Sequence, residues 1–148
     1  MKKLFVGVLC VALSLSVQGK EVNMTSPDGK YQFTLSDSGG QLHYSLTWNG
    51  KQTVKPSLLG INANVEWRDG VEIGTVDSSR KDTIWHPVYG ERSEIKDCYH
   101  AWKIVVNRQN GRDKLILDVR AYDEGIAFRY HFPGGQYLKI TDEYTEYT

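Results

Sequence analysis

Q-L-H-Y-S-L-T-W-N-G, running from Gln41 to Gly50, sets Leu42, Tyr44, Leu46 and Trp48 in strict alternation with Gln41, His43, Ser45 and Thr47. A repeat of two is that of a β-strand, whose successive side chains point to opposite faces, so this stretch builds one apolar and one polar face. The Asn49-Gly50 pair that ends it supplies the positive φ angles of a tight hairpin. The pattern recurs outward. Tyr31, Phe33 and Leu35 alternate with Gln32, Thr34 and Ser36; Ile104 with Val106, then Leu115, Leu117 and Val119, then Ile126, Phe128, Tyr130 and Phe132 follow downstream. Pro27-Asp28-Gly29, Gly39-Gly40, Asn110-Gly111, Asp123-Glu124-Gly125 and Pro133-Gly134-Gly135 punctuate these runs. No stretch carries a long helical repeat. The expected class is all-β, with antiparallel strands in a sandwich or barrel.

At 148 residues the chain is one domain at most, or a piece of a larger one. Its first residues stand apart. Lys2 and Lys3 form a positive start, Leu4 to Val17 an apolar run, and Val17-Gln18-Gly19 places small residues where a signal peptidase cuts. Residues 1–19 are expected to be a signal peptide and residues 20–148 the exported part. The apolar run is about 14 residues, short of the roughly 20 that span a bilayer, so no membrane partner is expected after cleavage. Cys10 leaves with the signal, and Cys98 stays as a single, half-buried small hydrophobe with no disulfide partner. Loss of Lys2 and Lys3 takes 18 basic residues to 16 against 18 acids, a net charge of −2. Nucleic acid and anionic membranes then have no electrostatic hold on the chain.

W-H-P-V-Y-G-E-R-S-E-I-K-D-C-Y, from Trp85 to Tyr99, interrupts the alternation with a dense set of charged and aromatic residues. It reads as a long loop, the usual place for binding chemistry on a rigid scaffold. Its candidates are Trp85, Tyr89, Glu91, Arg92, Glu94, Asp97 and Tyr99. Glu91, Glu94 and Asp97 are interleaved with Arg92, Lys96 and the tyrosines, so an ion-pair network holding the loop in shape is one reading. Direct contact with a sugar is another, with Trp85 as the stacking residue, and catalysis by the loop alone a third. Ile95, Cys98, Tyr99 and Trp102 have the spacing of one short helical face, against a loop running straight into a strand.

Other chemistries lack their patterns. His43, His86, His100 and His131 form no H-x-x-x-H or H-E-x-x-H spacing, so no metal site is expected within this chain. G-x-S-x-G is absent, and the glycine pairs precede no helix, which removes a serine nucleophile elbow and a phosphate loop. Glycoside hydrolysis needs two carboxylates facing each other across a sugar. Glu143 and Glu146, three apart on an extended segment, point to opposite faces, and Asp123 and Glu124 belong to a turn. Tyr137 to Thr148 reads as a strand entering a sheet that the chain does not finish.

Three ordered motifs carry a resemblance: S-P-D-G-K at Ser26 to Lys30, W-H-P-V-Y-G-E-R-S-E-I-K-D at Trp85 to Asp97, and R-A-Y-D-E-G-I-A-F-R-Y at Arg120 to Tyr130. Together they resemble the N-terminal domain of glycoside hydrolase family 97, over essentially the whole mature chain. The resemblance implies a β-supersandwich of the galactose-mutarotase kind, incomplete at its C-terminal end, preceding a catalytic (β/α)8 barrel that this chain lacks. It implies an exported, periplasmic α-glycosidase whose substrate is an oligosaccharide or polysaccharide. The catalytic carboxylates would sit on the barrel, leaving none in this chain. A calcium ion would be held there largely by glutamates beyond Thr148. Trp85, Pro87, Gly90, Glu91, Arg92, Ser93 and Asp97 match the family motif and would form the loop that meets the barrel in cis. Two other classes stay open: a freestanding carbohydrate-binding or mutarotase-like module, using His100 or His131 with Glu91 or Glu124, and an exported structural β-domain without a sugar site.

Overall fold

The computed structural model describes residues 19–109, 111–134 and 137–148. The expected signal segment up to residue 18 lies outside the described residues, as do Asn110 and Gly135 of two expected turns. In chain order the strands are β1 (Glu21–Thr25), β2 (Tyr31–Ser36), β3 (Leu42–Trp48), β4 (Lys51–Leu59), β5 (Ile61–Ala63), β6 (Val65–Glu66), β7 (Val71–Trp85), β8 (Ile95–Arg108), β9 (Lys114–Tyr122), β10 (Gly125–His131) and β11 (Ile140–Glu143). They form one sheet in the order β1-β2-β3-β4, a second in the order β10-β9-β8-β7, and a small third in the order β11-β5-β6. Every pairing is antiparallel. The chain is an antiparallel β-sandwich, which settles the choice between sandwich and barrel.

The alternating residues account for the interior. Met24, Phe33, Leu35, Leu42, Tyr44 and Leu59 from the first sheet are buried against Val71, Ile73, Ile104, Val106, Leu115, Leu117 and Val119 from the second. Phe33 stacks on Tyr44 at 5.5 Å between ring centroids, and Phe128 of β10 tilts against both at 6.2 and 5.9 Å. These rings join the two sheets directly. Ile61, Ala63 and Trp67 extend the same core along the third sheet. Trp48 departs from its alternation: it ends β3 at the Asn49-Gly50 turn and remains 45% exposed. That turn has φ 49° at Asn49 and 74° at Gly50, as the dipeptide predicts.

β4 and β7, each at a sheet edge, are hard to read in the sequence because neither Lys51 to Pro56 nor Asp77 to Trp85 buries a side chain. Pro56 has no N–H to give a ladder and is tolerated at an edge. β7 is buried only at its start, and its register shifts between Ile73 and Val76. Gly74 sits in that bulge, where a Cβ would lie 2.6 Å from Asn107 Nδ2 and 3.1 Å from Val105 O, so a side chain there would require Asn107 to turn aside.

Two of the three motifs meet in space. In the β1–β2 turn the Ser26 hydroxyl donates to Asp28 Oδ1 at 2.6 Å, the Lys30 amide donates to the same oxygen at 3.0 Å, and Lys30 Nζ lies 2.9 Å from Asp28 Oδ2. The Asp28 amide then donates to Asp123 Oδ1 at 2.9 Å, in the two-residue turn between β9 and β10. Ser26 and Lys30 hold the Asp28 carboxyl well below the usual carboxylate range. Its folded pKa is depressed, so its contribution to stability is present above the ordinary aspartate value and is lost as pH falls through the folded one.

The C-terminal strand is shorter than the alternation suggests, since only Ile140–Glu143 pairs as a strand, with β5. The residues after it remain extended beside β4. Tyr144 N donates to Gly60 O at 2.8 Å, Glu146 N to Leu58 O at 3.0 Å, and Lys55 N to Thr148 O at 2.7 Å. Tyr44 Oη donates to Glu146 O at 2.7 Å, so the segment is also held from the core side.

Replacing Phe33 by Ala is expected to cost about 3–5 kcal/mol, seen as a lower urea midpoint with an unchanged slope, whereas Trp48→Ala costs about 0.5 kcal/mol or less. Burial pushes the Tyr130 hydroxyl up to about 12, with a hydrogen bond to Thr145 opposing part of the rise. Because its folded pKa is raised, stability is full below pH of about 10, the ordinary tyrosine value, and falls by about 2–3 kcal/mol toward pH 12. Alkaline titration at the tyrosinate band is expected to show a last step that Tyr130→Phe removes.

Candidate functional site

β7 and β8 pair from Val71 opposite Arg108 to Trp85 opposite Ile95, but β9 accompanies β8 only from Tyr99 onward. Asp82 to Trp85 and Ile95 to Cys98 are therefore a two-stranded ribbon that leaves the sheet, about 14 Å long at roughly 3.4 Å per residue. This corrects the expectation of a long irregular loop from Trp85 to Tyr99. Only His86 to Glu94 leaves the ladder, and the region of Ile95 to Trp102 is strand rather than a short helix. The reason is physical: beyond Cys98 the ribbon buries neither face and so has none that must be apolar, and the two-residue period disappears although the pairing continues.

Three of the seven candidates are strand residues. Trp85 closes β7, and Asp97 and Tyr99 lie in β8. Thr83 faces Asp97 and Lys81 faces Tyr99 across the ladder, which puts Lys81, Thr83, Trp85, Asp97 and Tyr99 on one side of the ribbon and its root. Tyr89, Glu91, Arg92 and Glu94 occupy the exposed tip, where His86 Nδ1 lies 3.1 Å from Ser93 O. The ion-pair network expected among Glu91, Glu94 and Asp97 is not what forms. Among the described residues Glu91 and Glu94 make no ion pair, and Asp97 pairs with Lys81, Nζ to Oδ2 at 2.6 Å.

At the root the chemistry is dense. Tyr99 is 8% exposed although it points outward from the sheet. Arg120 covers its ring at 4.7 Å, Lys81 lies 5.8 Å from the ring centroid, and the Tyr122 ring sits 5.0 Å away. A cation over an aromatic face is drawn to the ring's negative π cloud, and Arg120 is the nearer of the two. The hydrogen bond to Asp97 is the main cause that raises the Lys81 pKa. That pair supports the root below the ordinary lysine value and is lost as pH rises through the folded one. Sequence reading missed Lys81, Arg120 and Tyr122. The phase of β9 places Arg120 and Tyr122 opposite buried Val119 and Ala121, but only the register of β7, β8 and β9 brings them beside Lys81.

The residues nominated for mutarotase-like chemistry are not brought together. His100 Nδ1 lies 2.9 Å from Thr25 O on the inward side, whereas His131 is on the outward side of β10, 4.0 Å from Asp118. Neither bonds Glu91 or Glu124 among the described residues. Cys98 is buried rather than half-buried. Glu143 accepts a hydrogen bond from Thr145 at 2.8 Å. No three His, Cys, Asp or Glu side chains converge among the described residues.

With the geometry in place, comparison with known proteins gives the family. The model of the glycosyl-hydrolase 97 N-terminal family matches residues 24–148. The chain belongs to this family. A retaining alpha-galactosidase of Bacteroides thetaiotaomicron is 30% identical over 99% of the chain, which spans 22% of that relative. A glycoside hydrolase family 97 enzyme from Pseudoalteromonas sp. strain K8, solved with panose and with acarbose, superposes with a TM-score of 0.78 at 25% identity. The match covers 85% of this chain and 20% of that one. A beta-arabinopyranosidase superposes with a TM-score of 0.76 at 25% identity, over 84% of this chain and 20% of its own. The chain thus spans about a fifth of the relatives it matches, and its place in the family is that of the N-terminal domain.

For this glycosyl-hydrolase 97 domain, limited trypsin digestion under native conditions is expected to cut early after Arg92, whose backbone lies outside the ladder, while Lys81, Lys96 and Lys103 are protected by pairing. The two fragments stay associated until denaturant is added; early cleavage at Lys103 would contradict this arrangement.

Proposed function

We propose that this chain is the leading, noncatalytic part of an exported enzyme that hydrolyses α-glycosidic bonds, and that its ribbon tip seats against the catalytic domain and shapes one wall of the sugar site. The observation that carries this reading is the tip itself. Ile84, Trp85, Val88 and Tyr89 are 60%, 50%, 87% and 91% exposed on an arm whose root is tied down. Four large apolar or aromatic side chains gathered on one projection mark a surface that is covered by something else.

Family membership supports the enzyme class. The names of the relatives, a retaining alpha-galactosidase and an enzyme solved with panose and acarbose, support an α-linked galactoside or glucoside as substrate. On this reading the chain's own work is positional. Trp85 and Tyr89 offer flat apolar faces to a sugar ring or to the neighbouring domain, and Arg92, Glu91 and Glu94 offer hydrogen bonds at the rim. Water is excluded from one side of the bond being cleaved. The acid and the second carboxylate of the reaction come from outside this chain, and so do the ligands of the calcium ion expected for the longer enzyme. The signal-like start supports export, with the periplasm as the compartment.

The test uses the full-length enzyme and a nitrophenyl α-galactoside. Trp85→Ala with Tyr89→Ala is expected to lower kcat/KM about tenfold, a loss of roughly 1.4 kcal/mol of transition-state binding, without changing the fold of the domain. Residues 20–148 alone are expected to release no nitrophenol. Unchanged kinetics in the double variant would remove the tip from the site, and hydrolysis by the isolated segment would overturn the noncatalytic assignment.

A further inference from the structure

The chain enters the fold at a corner that neither the ribbon nor the sugar site uses. Lys20 precedes β1, and its backbone N donates to Asp37 Oδ1 at 2.5 Å. The Asp37 amide returns a hydrogen bond to Lys20 O at 3.1 Å, and Asp37 Oδ2 accepts from the Ile73 amide at 2.7 Å. Lys20 Nζ donates to Gly74 O in the β7 bulge. One carboxylate therefore holds Lys20, the turn after β2 and the start of β7. Because β1 and β2 belong to the first sheet and β7 to the second, Asp37 ties the two sheets together at this end.

Gly19 is packed into the same corner. A Cβ on it would lie 2.8 Å from Asp37 Oδ1 and 2.8 Å from both Cα and N of Ser38, so a larger residue fits there only if the Ser38 backbone gives way. The same glycine holds the small-residue position of the expected cleavage site, with Lys20 next. Among the described residues the cleft around them is lined by two acids, Asp37 and Glu72, and by no cation except Lys20. Asp37 makes no side-chain ion pair among those residues.

With the chain intact, Asp37 receives only two neutral amide donors, and its charge stays unbalanced. Hydrolysis of the bond between Gly19 and Lys20 changes that. Water adds across the bond, Gly19 leaves with a carboxylate, and the Lys20 nitrogen becomes an ammonium with three N–H groups, charged at pH 7 as an ordinary α-amino group is. The nitrogen already sits on the Asp37 oxygen, so the new charge needs no rearrangement to find its partner. In the folded domain a protease has no room on this bond, with Gly19 against Ser38 and Lys20 N held by Asp37, so the cut precedes docking.

We propose that cleavage between Gly19 and Lys20 during export creates the cation that Asp37 is placed to receive, and that the α-ammonium of Lys20 then locks the start of β1 to β7. The inference rests on the export reading of residues 1–19 and gives the cut a structural consequence. An uncut chain lacks the lock.

The experiment has two arms. In the first, the full-length enzyme is exported from its complete coding sequence by a host with a periplasm, and its N-terminus is read by mass spectrometry. Lys20-Glu21-Val22 is expected; any other first residue would overturn the proposal together with the expected cleavage site. In the second, the full-length enzyme is made in the cytosol in two forms, one beginning at Lys20 and one retaining Val17-Gln18-Gly19, and hydrogen exchange of the peptide containing Ile73 is followed. The form that begins at Lys20 is expected to exchange roughly fivefold more slowly, and Asp37→Asn to bring both forms to one faster rate. The longer form keeps every side chain and the Lys20 N–H, so packing alone predicts equal rates. Equal rates would remove the Asp37 lock and leave export standing. A difference that survives Asp37→Asn would place its cause elsewhere and overturn the assignment.

Discussion

The structure depends on two four-stranded sheets, each apolar on one side only, that leave water by closing on each other. Phe33, Tyr44 and Phe128 are where that closure is most direct, because their rings touch across the gap. Burying a side chain of that size contributes about 1.5–3 kcal/mol relative to leaving it wet. The ribbon and the outward rows of polar side chains are carried on strand ends and strand phases that this closure leaves free.

β8 shows how one strand serves all parts. Its inward phase, Ile104 and Val106, belongs to the core; its outward phase, Tyr99, Ala101 and Lys103, stands in register with Tyr122, Arg120 and Asp118 of β9; its first residues rise from the sheet as half of the ribbon. A change of core volume under Ile104 would therefore be felt at the outward rows and at the ribbon root, since neighbouring residues on a strand share one backbone. The motif turns at Asp28 and Asp123 tie the two sheets at their rim, and this gives a structural reason for residues that sequence reading could only match by likeness.

What was legible in the sequence follows the same physics. Strands with a core on one side, such as Leu42 to Trp48 and Lys114 to Tyr122, announced themselves by period two, and Asn49-Gly50 specified its own turn. β7 was hidden because past Val76 it adds nothing to the core, and its polar run from Asp77 to Asp82 resembles a loop. The tip was found because its aromatic and charged composition fits no strand face. Lys81 and Arg120 were not found, since their meaning lies in lateral register across three strands, which a linear reading does not contain.

Cys98 gives the ribbon root a property of another kind. It is a free thiol on the inward side of the first ladder pairs that stand without β9, and it is 8% exposed. A bulky thiol reagent reaches sulfur only while those pairs are parted, so the alkylation rate is a clock for the opening of the root. The protein carries its own gauge of how firmly the arm is held, with no need to engineer a cysteine into it.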